Sequence, residues 1–220
     1  GHLIEAAVAY YHATGKDKLL QTAIRFANHI DSTFRLGNKP WFSGHQEIEL
    51  ALVKLYNVTR NDRYLKLSEW YLQQRGKGHY PYGTNWIMLD YWQDLKPVHE
   101  QTEITGHAVR AMYQYTGAAD VAVALRHKQY AEAMRAVWED VVFRNLYITG
   151  GIGSSGRNEG FSIDYDLPNM NAYCETCASV GMVFWNQRMN RLNGDSKFID
   201  VLERSLYNGS LSGLSLTGDR

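Results

Sequence analysis

The sequence predicts an all-α protein built as an array of αα-hairpins. Two observations support this prediction. Apolar residues recur at the spacing of one helix face through most of the chain, and short polar turns recur at intervals of tens of residues. Each turn joins the end of one helix to the start of the next. Such units bury their faces against their neighbours, so the array forms either an open solenoid or a closed α/α toroid.

The first two hairpins are expected within residues 1–75. Their four helices are predicted at His2–Thr14, 17–34, 46–59 and 62–75. Gly15 follows the first helix, where a glycine commonly ends a helix. Residues 37–44 contain two glycines and Pro40, a composition typical of a loop between hairpins.

Two further hairpins are predicted in the second half of the chain. The polar turn motif that joins the helices of the first two hairpins, at 11–19 and 56–64, recurs at 113–121 and, more loosely, at 189–198. This recurrence predicts helix pairs at 100–116 with 120–145 and at 172–193 with 197–207. Residues 146–149 are a candidate short strand within a small irregular region over 146–170.

The segment 76–98, between the second and third hairpins, is long and aromatic. Its aromatic residues include Tyr80, Tyr82, Trp86, Tyr91 and Trp92. A connection of that length and composition is more typical of a functional loop than of a plain connector.

The composition excludes two classes of partner. The 23 basic and 23 acidic residues give a net charge of zero and are scattered along the chain, which argues against nucleic acid and against an anionic membrane surface. Apolar runs stay well short of the roughly 18 residues of a membrane span. The 15 Tyr and 6 Trp residues suit a small carbohydrate partner, although many aromatic side chains belong to the core.

Residues 147–177 concentrate the candidate chemistry. This stretch holds four acidic residues and both cysteines of the chain: Glu159, Asp164, Asp166, Glu175, Cys174 and Cys177. Asp164 and Asp166 alternate, so they point to the same side if that run is extended. Paired carboxylates are the usual apparatus of glycosidic acid/base chemistry. The alternative is a solvated polar loop, or a cap for the helix after Pro168.

The two cysteines have C-x-x-C spacing at the predicted start of a helix, where the thiols would approach each other across one turn. Three interpretations remain open: a zinc half-site with Glu175, a redox pair, or two small buried apolar residues. A redox pair needs a thioredoxin-like βαβ context that the helical pattern lacks. Free thiols favour a reducing compartment, so we expect a cytoplasmic protein.

Histidine follows glycine at His2, His45 and His107, as well as at His79, and the first three are the candidate binding residues. The first two stand where a hairpin begins, at one end of the bundle. Gly106 is expected inside its helix, where it costs roughly 1 kcal/mol relative to alanine, which suggests a close approach by another group. A single histidine of this kind is usually structural, but the repeated context favours a shared pocket.

The sequence resembles the glycoside hydrolase family 127 β-L-arabinofuranosidases over essentially its whole length. The motifs in its first half are Gly-His-Leu-Ile-Glu-Ala (1–6), Gly-His-Gln-Glu-Ile-Glu-Leu-Ala (44–51), Pro-Val-His-Glu-Gln (97–101) and Gly-His-Ala-Val-Arg-Ala (106–111). The more specific motifs follow: Thr-Gly-Gly-Ile-Gly-Ser (149–154), Asn-Glu-Gly-Phe (158–161), Asp-Tyr-Asp-Leu-Pro (164–168) and Glu-Thr-Cys-Ala-Ser (175–179).

The resemblance implies that residues 1–220 are a single domain, part of an (α/α)6 barrel catalytic domain that lacks its N-terminal helices and its C-terminal part. The implied activity is retaining, exo-acting removal of terminal β-L-arabinofuranose from arabinooligosaccharides. Glu159 matches the general acid/base of the family, and Glu175 and Cys177 match zinc ligands. His2, His45 and His107 match residues that contact the sugar.

The chain departs from the family pattern in one respect. The family completes its zinc site with two adjacent cysteines in a later motif, one of which is the nucleophile, and these 220 residues contain no such pair. We therefore expect this piece alone to be inactive. Cys174 does not match a family ligand, so its spacing from Cys177 is incidental under this reading.

Two other functions remain open. One is a related exo-glycosidase that accepts a different sugar, and the other is a non-catalytic helical module for glycan binding or scaffolding. The oligomeric state is also open, with a homodimer of the full-length protein as one alternative.

Overall fold

A computed structural model describes residues 1–79 and 86–219 of the chain. Helices dominate these residues, and the all-α prediction is confirmed. The helices are α1 (His2–Thr14), α2 (Lys18–Thr33), α3 (Ile48–Thr59), α4 (Asp62–Gln74), α5 (Trp86–Tyr91), α6 (Ala108–Leu125), α7 (Lys128–Arg144), α8 (Thr176–Asn193) and α9 (Lys197–Ser205). Tyr80 and Tyr82 of the aromatic segment lie outside the described residues. None of the described helices is long and apolar enough to cross a membrane.

The first two hairpins follow the prediction to within two residues at each helix end. Gly15 ends α1 in the left-handed conformation, at φ 69°, and its N–H donates to the carbonyl of Tyr11. Asn61 starts α4 by accepting a hydrogen bond from the N–H of Arg63. The helix expected from residue 46 begins at Ile48, which leaves the two preceding residues in the loop.

The turn predicted at 113–121 is wrong, because these residues lie inside the continuous helix α6. A β-carbon on Gly117 would lie 2.8 Å from the β-carbon of Glu49 on α3, so this glycine allows two helices to cross closely. The chain turns instead at Arg126, at φ 53°, and His127 caps α7 by accepting from the N–H of Tyr130. The helix expected from residue 100 is also wrong, because a short 3-10 helix, Val98–Glu100, ends there and α6 begins only at Ala108.

The strand predicted at 146–149 is also wrong. Leu146 makes an isolated bridge with Ile152, and Tyr147 and Gly151 close a tight turn through a 2.9 Å backbone hydrogen bond. Within the described ranges, extended pairing is limited to isolated bridges of this kind. The irregular region expected over 146–170 is confirmed.

The last hairpin is shorter than predicted at both ends. The helix expected from residue 172 begins at Thr176, and the helix expected to end at residue 207 ends at Ser205. A π-helical turn, Leu206–Ser210, and a 3-10 turn, Leu211–Gly213, follow.

The helices bury two apolar clusters. One lies among α1 to α4, and the other lies among α6 to α9 and the irregular loop. Helix α6 joins them because it packs against both α3 and α8. A β-carbon on Gly181 of α8 would lie 2.6 Å from the β-carbon of Met112, so these two helices also approach closely. The result is a row of hairpins with α1, α3, α6 and α8 as successive neighbours.

Candidate active site

The starts of α1, α3, α6 and α8 meet at one end of the array. His2 is the first residue of α1 and lies against Glu47, which immediately precedes α3. The rings of His45 and His107 lie edge to face with their centroids 6.4 Å apart. Four helix N-termini therefore face one region, where their dipoles favour negative charge.

His107 and Glu159 form the central pair of the site. Nε2 of His107 lies 3.0 Å from Oε2 of Glu159. Nδ1 of the same ring accepts the N–H of Arg110 at the start of α6, so Nε2 carries the proton and donates to the carboxylate. The histidine is 6% exposed, whereas the glutamate side chain is 51% exposed. The buried imidazole of His107 thus holds a carboxylate that is open to solvent.

Backbone hydrogen bonds hold the loop that carries Glu159 against the start of α6. The N–H of Ala108 donates to the carbonyl of Glu159, and the N–H of Phe161 donates to the carbonyl of Gly106. Glu159 itself adopts φ 51°, an uncommon conformation for a residue with a side chain. A β-carbon on Gly160 would lie 1.8 Å from the carbonyl oxygen of Gly106, so only glycine fits there.

Gly106 precedes α6 and does not lie inside it, so the helix-interior position predicted for it is wrong. It adopts φ 70°, and a β-carbon there would lie 2.1 Å from the carbonyl oxygen of Asp90. The close approach expected at this glycine is confirmed, but the approaching group is the backbone of the aromatic segment.

Glu175 joins the central pair from the start of α8. One ligand-type atom each from His107, Glu159 and Glu175 lies within 4.8 Å of the others. Burial lowers the pKa of His107, and the hydrogen bond that His107 donates to Glu159 only partly offsets this effect. The imidazole is therefore neutral at pH 7, where it donates to Glu159 without forming an ion pair.

The structure places His45 beside this cluster. Nδ1 of His45 donates to the carbonyl of Gln46 over 2.8 Å, which leaves Nε2 as an acceptor. Burial lowers the pKa of His45, and the guanidinium of Arg110 adds to the shift. The ring of Tyr113 flanks His45 with centroids 5.9 Å apart.

His2 forms a second, more exposed group at the same end. Its side chain is 82% exposed and contacts Glu47. His2, Glu5 and Glu47 have ligand-type atoms within 4.8 Å of one another. The sequence reasoning missed Glu5 and Glu47, although each follows a Gly-His pair by two or three residues.

The geometry assumed for the two cysteines does not occur. Cys174 precedes α8 with φ 40°, whereas Cys177 lies within α8, so the two cysteines do not share one helical turn. Both cysteines are free. The N–H of Cys174 donates to the carbonyl of Gly153 over 2.9 Å, which fixes it to the irregular loop. A hydrogen bond with Glu175 raises the pKa of the Cys177 thiol, which lies on the first turn of α8.

Asp164 and Asp166 do not point the same way from an extended run, because Tyr165 between them adopts φ 63° in a turn. Asp164 accepts a hydrogen bond from the side chain of Asn145, and Asp166 accepts one from the hydroxyl of Ser162. Both carboxylates therefore have local partners in the loop, and neither joins the cluster around Glu159.

The aromatic segment contributes two side chains next to the histidines. The ring of Tyr91 lies edge to face with His107 at 5.2 Å, and the guanidinium of Arg110 stacks over the ring of Trp92 at 4.0 Å. Arg110 also donates to the carbonyl of Gly44, next to His45. The C-terminal end of the aromatic segment therefore lies next to the candidate site.

Comparisons with known proteins agree with this arrangement. The array of hairpins matches the fold of solved glycoside hydrolases. A GH127 β-L-arabinofuranosidase from Geobacillus stearothermophilus T6 superposes with a TM-score of 0.95 and 46% identity, covering 100% of this chain and 37% of that one. A second GH127 β-arabinofuranosidase gives a TM-score of 0.91 and 46% identity, covering 99% of this chain and 33% of that one.

All 220 residues match the family model of the β-L-arabinofuranosidase GH127 catalytic domain, and the chain belongs to that family. It is also 40% identical, over 234 aligned positions, to a non-reducing end β-L-arabinofuranosidase of Bifidobacterium longum subsp. longum. That alignment covers 99% of this chain and 36% of the relative. The chain thus spans about a third of the length of its relatives, and its hairpins are part of the (α/α)6 barrel of GH127 enzymes.

Proposed function

We propose that the protein, at full length, is a retaining exo-glycosidase that removes terminal β-L-arabinofuranosyl residues from arabinooligosaccharides. One observation supports this proposal above the others: a solvent-open carboxylate, Glu159, is held by the buried imidazole of His107 at the end of the array where the histidines gather. Membership of the GH127 family supports the choice of substrate.

Glu159 is proposed as the general acid/base. Oε2 is held by His107, so Oε1 is the oxygen that exchanges a proton with the substrate. In the first step the carboxyl protonates the departing glycosidic oxygen, and in the second the carboxylate takes a proton from the attacking water. A half-exposed side chain suits this role because both the leaving group and the water must reach it.

The histidines are proposed to bind the sugar. Burial lowers the pKa values of His45 and His107, which keeps both rings neutral at pH 7. A neutral imidazole carries one donor and one acceptor. Nε2 of His45 is left to accept from a sugar hydroxyl, whereas both nitrogens of His107 are already bonded, so His107 would contact the sugar without a new ring hydrogen bond. His2 would add a third contact from the start of α1, where Glu47 orients its ring.

Glu175 and Cys177 are proposed to hold zinc. A carboxylate and a thiol in contact at the start of α8 are donor types that zinc prefers, and together they make half of a four-ligand site. The other two ligands, including the nucleophilic thiolate, would come from a part of the protein outside these 220 residues. Bound zinc keeps a coordinated thiol deprotonated at neutral pH and so makes it a competent nucleophile.

The compartment is proposed from the state of the two cysteines. Cys174 and Cys177 are both free, and a thiolate mechanism requires that they stay reduced. We therefore propose a cytoplasmic enzyme that trims small arabinose-containing oligosaccharides.

The experiment that tests the function uses the full-length protein and a panel of aryl glycosides that differ only in the terminal sugar. The proposal predicts hydrolysis of the β-L-arabinofuranoside and, by proton NMR of the first product formed, retention of the anomeric configuration. Preference for another sugar would favour the related exo-glycosidase. Sugar binding without hydrolysis would favour a glycan-binding module.

A further inference from the structure

Four buried glutamines link His45 and His107. Gln46, Gln93, Gln101 and Gln114, here called the glutamine network, come from the loop before α3, the aromatic segment, the loop before α6, and α6 itself. All are at least nine-tenths buried. Glutamine is rarely buried without hydrogen-bond partners, so four together indicate a specific task. Among the oxygens of these four amides, only Oε1 of Gln46 is left without a partner in the described residues.

The amide of Gln93 is the centre of the glutamine network. Its Nε2 donates toward three backbone carbonyls, those of Tyr91 (3.2 Å), Thr105 (2.9 Å) and His107 (3.2 Å). Three carbonyl oxygens around one atom require that atom to be the NH₂ group, which fixes the orientation of the amide. Its Oε1 then accepts from Nε2 of Gln46 over 2.8 Å.

The remaining glutamines close a ring around this contact. Gln46 also approaches Oε1 of Gln114 at 3.3 Å, and Gln114 donates to Oε1 of Gln101. Gln101 returns to the backbone carbonyl of Gln93 over 3.0 Å. Each side-chain amide therefore constrains the next, and networks of this kind are stiffer than isolated pairs.

The backbone around Gln93 is also under strain. Gln93 adopts φ 55°, in the left-handed region, although it carries a side chain. A β-carbon on Gly106 would lie 2.8 Å from Nε2 of Gln93, so the amide fills the space that this glycine leaves. A residue held in this conformation persists only where the surrounding contacts offset the strain.

We propose that Gln93 is a positioning residue for acid/base catalysis. It holds the backbone of His107 at the start of α6, and His107 in turn holds the carboxylate of Glu159. The inference rests on the proposed function, since it assumes that Glu159, which Gln93 positions through His107, is the general acid/base. Gln46 extends the same control to the neighbouring His45, whose ring is bonded to the carbonyl of Gln46.

The test replaces Gln93 by methionine in the full-length protein, which keeps the length of the side chain and removes its amide. Gln74→Met is the matched control, since Gln74 is also buried and, among the described residues, bonds to the carbonyl of Trp70 in its own helix. The main measurement is kcat/KM on glycosides with poor and with activated leaving groups. Poor leaving groups need the general acid, whereas activated ones do not.

Gln93→Met is expected to lower kcat/KM on poor leaving groups by roughly 10- to 100-fold, the effect of a misplacement near 1 Å. Activated substrates should change less than about threefold, and Gln74→Met should change neither class. An equal loss on both classes would show that Gln93 only supports the fold, and would overturn the proposal. If Gln93→Met does not fold, Gln114→Met tests the same ring of hydrogen bonds one contact further away. It should also lower kcat/KM more on poor than on activated leaving groups, but by a smaller factor.

A second measurement separates failure of this inference from failure of the proposed function. The Nε2 proton of His107, followed by NMR, reports its hydrogen bond to Glu159 whether or not the protein is a glycosidase. It should shift or broaden in Gln93→Met and stay unchanged in Gln74→Met. An unchanged signal in Gln93→Met would contradict the inference. An inactive full-length protein that still shows the shift would contradict the proposed function alone.

Discussion

His107 donates a hydrogen bond to Glu159 across 52 positions of sequence. The start of α6 fixes the histidine, and two backbone hydrogen bonds fix the loop that carries the glutamate. The geometry of the acid/base therefore depends on how closely that loop and the aromatic segment approach the start of one helix.

Gly106→Ala should disrupt this approach. The new β-carbon would lie 2.1 Å from the carbonyl oxygen of Asp90 while the backbone remains at φ 70°. We expect a loss of roughly 3 kcal/mol or more in the free energy of unfolding, measured by denaturant titration. Gly194→Ala is the control, because Gly194 has φ 73° with open space around it, and should cost only about 1–2 kcal/mol. Equal losses in the two variants would contradict the close contact.

Gly117→Ala distinguishes a helix crossing from a turn. Alanine is the better helix former by roughly 1 kcal/mol, so in an uncrowded helix the change would stabilise the protein. We expect the opposite, a loss of about 1–3 kcal/mol, because the added carbon meets Glu49 on α3. Val123→Ala, at a more exposed position of α6, should stay within about 0.5 kcal/mol of the parent. A more stable Gly117→Ala variant would show that α3 and α6 are not in close contact.

The two cysteines should differ in their effect on zinc. Elemental analysis of the full-length protein should give about one zinc, the content of one four-ligand site. Cys177→Ser should lose most of it because Cys177 contacts the second proposed ligand, Glu175. Cys174→Ser should keep its zinc, since Cys174 faces Gly151 in the irregular loop. Full zinc in Cys177→Ser, or loss in Cys174→Ser only, would reverse the assignment.

The stability of the protein should fall at acidic pH partly through His45. Burial lowers the pKa of His45 from its ordinary 6.5, so the folded state binds the proton more weakly than the unfolded state. As the pH falls below about 6.5, the unfolded state takes up the proton first and stability declines. His45→Gln should therefore reduce the drop in Tm between pH 7.5 and pH 5.5. His12→Gln, an exposed control, should leave it unchanged. An undiminished drop in His45→Gln would show that His45 titrates normally.

The sequence pattern predicted the helices well where local signals decide the structure. Gly15 and Gly117 both follow a Tyr-x-x-Thr pattern, Tyr-His-Ala-Thr before one and Tyr-Gln-Tyr-Thr before the other. Gly15 has open space around it and ends a helix, whereas Gly117 faces another helix and stays inside one. The difference lies in tertiary contact, which a local pattern does not contain.

The sequence pointed to several residues of the candidate site but not to the hydrogen bonds that connect them. The repeated Gly-His pairs and the loop glutamate stood out because their types and context are unusual for a helical core. The glutamine network has no such signal, since its members have no regular spacing and each would pass for a surface residue. Only folding brings Gln46, Gln93 and Gln114 together.

The most direct test of the account is the leaving-group dependence of Glu159→Gln in the full-length protein. Glutamine keeps the shape of the side chain but cannot donate a proton to the departing oxygen. The account predicts that kcat/KM falls by roughly 10²–10⁴-fold on glycosides with poor leaving groups and much less on activated aryl glycosides. Near-normal hydrolysis of poor leaving groups by Glu159→Gln would contradict the acid/base role and, with it, the purpose assigned to His107 and Gln93.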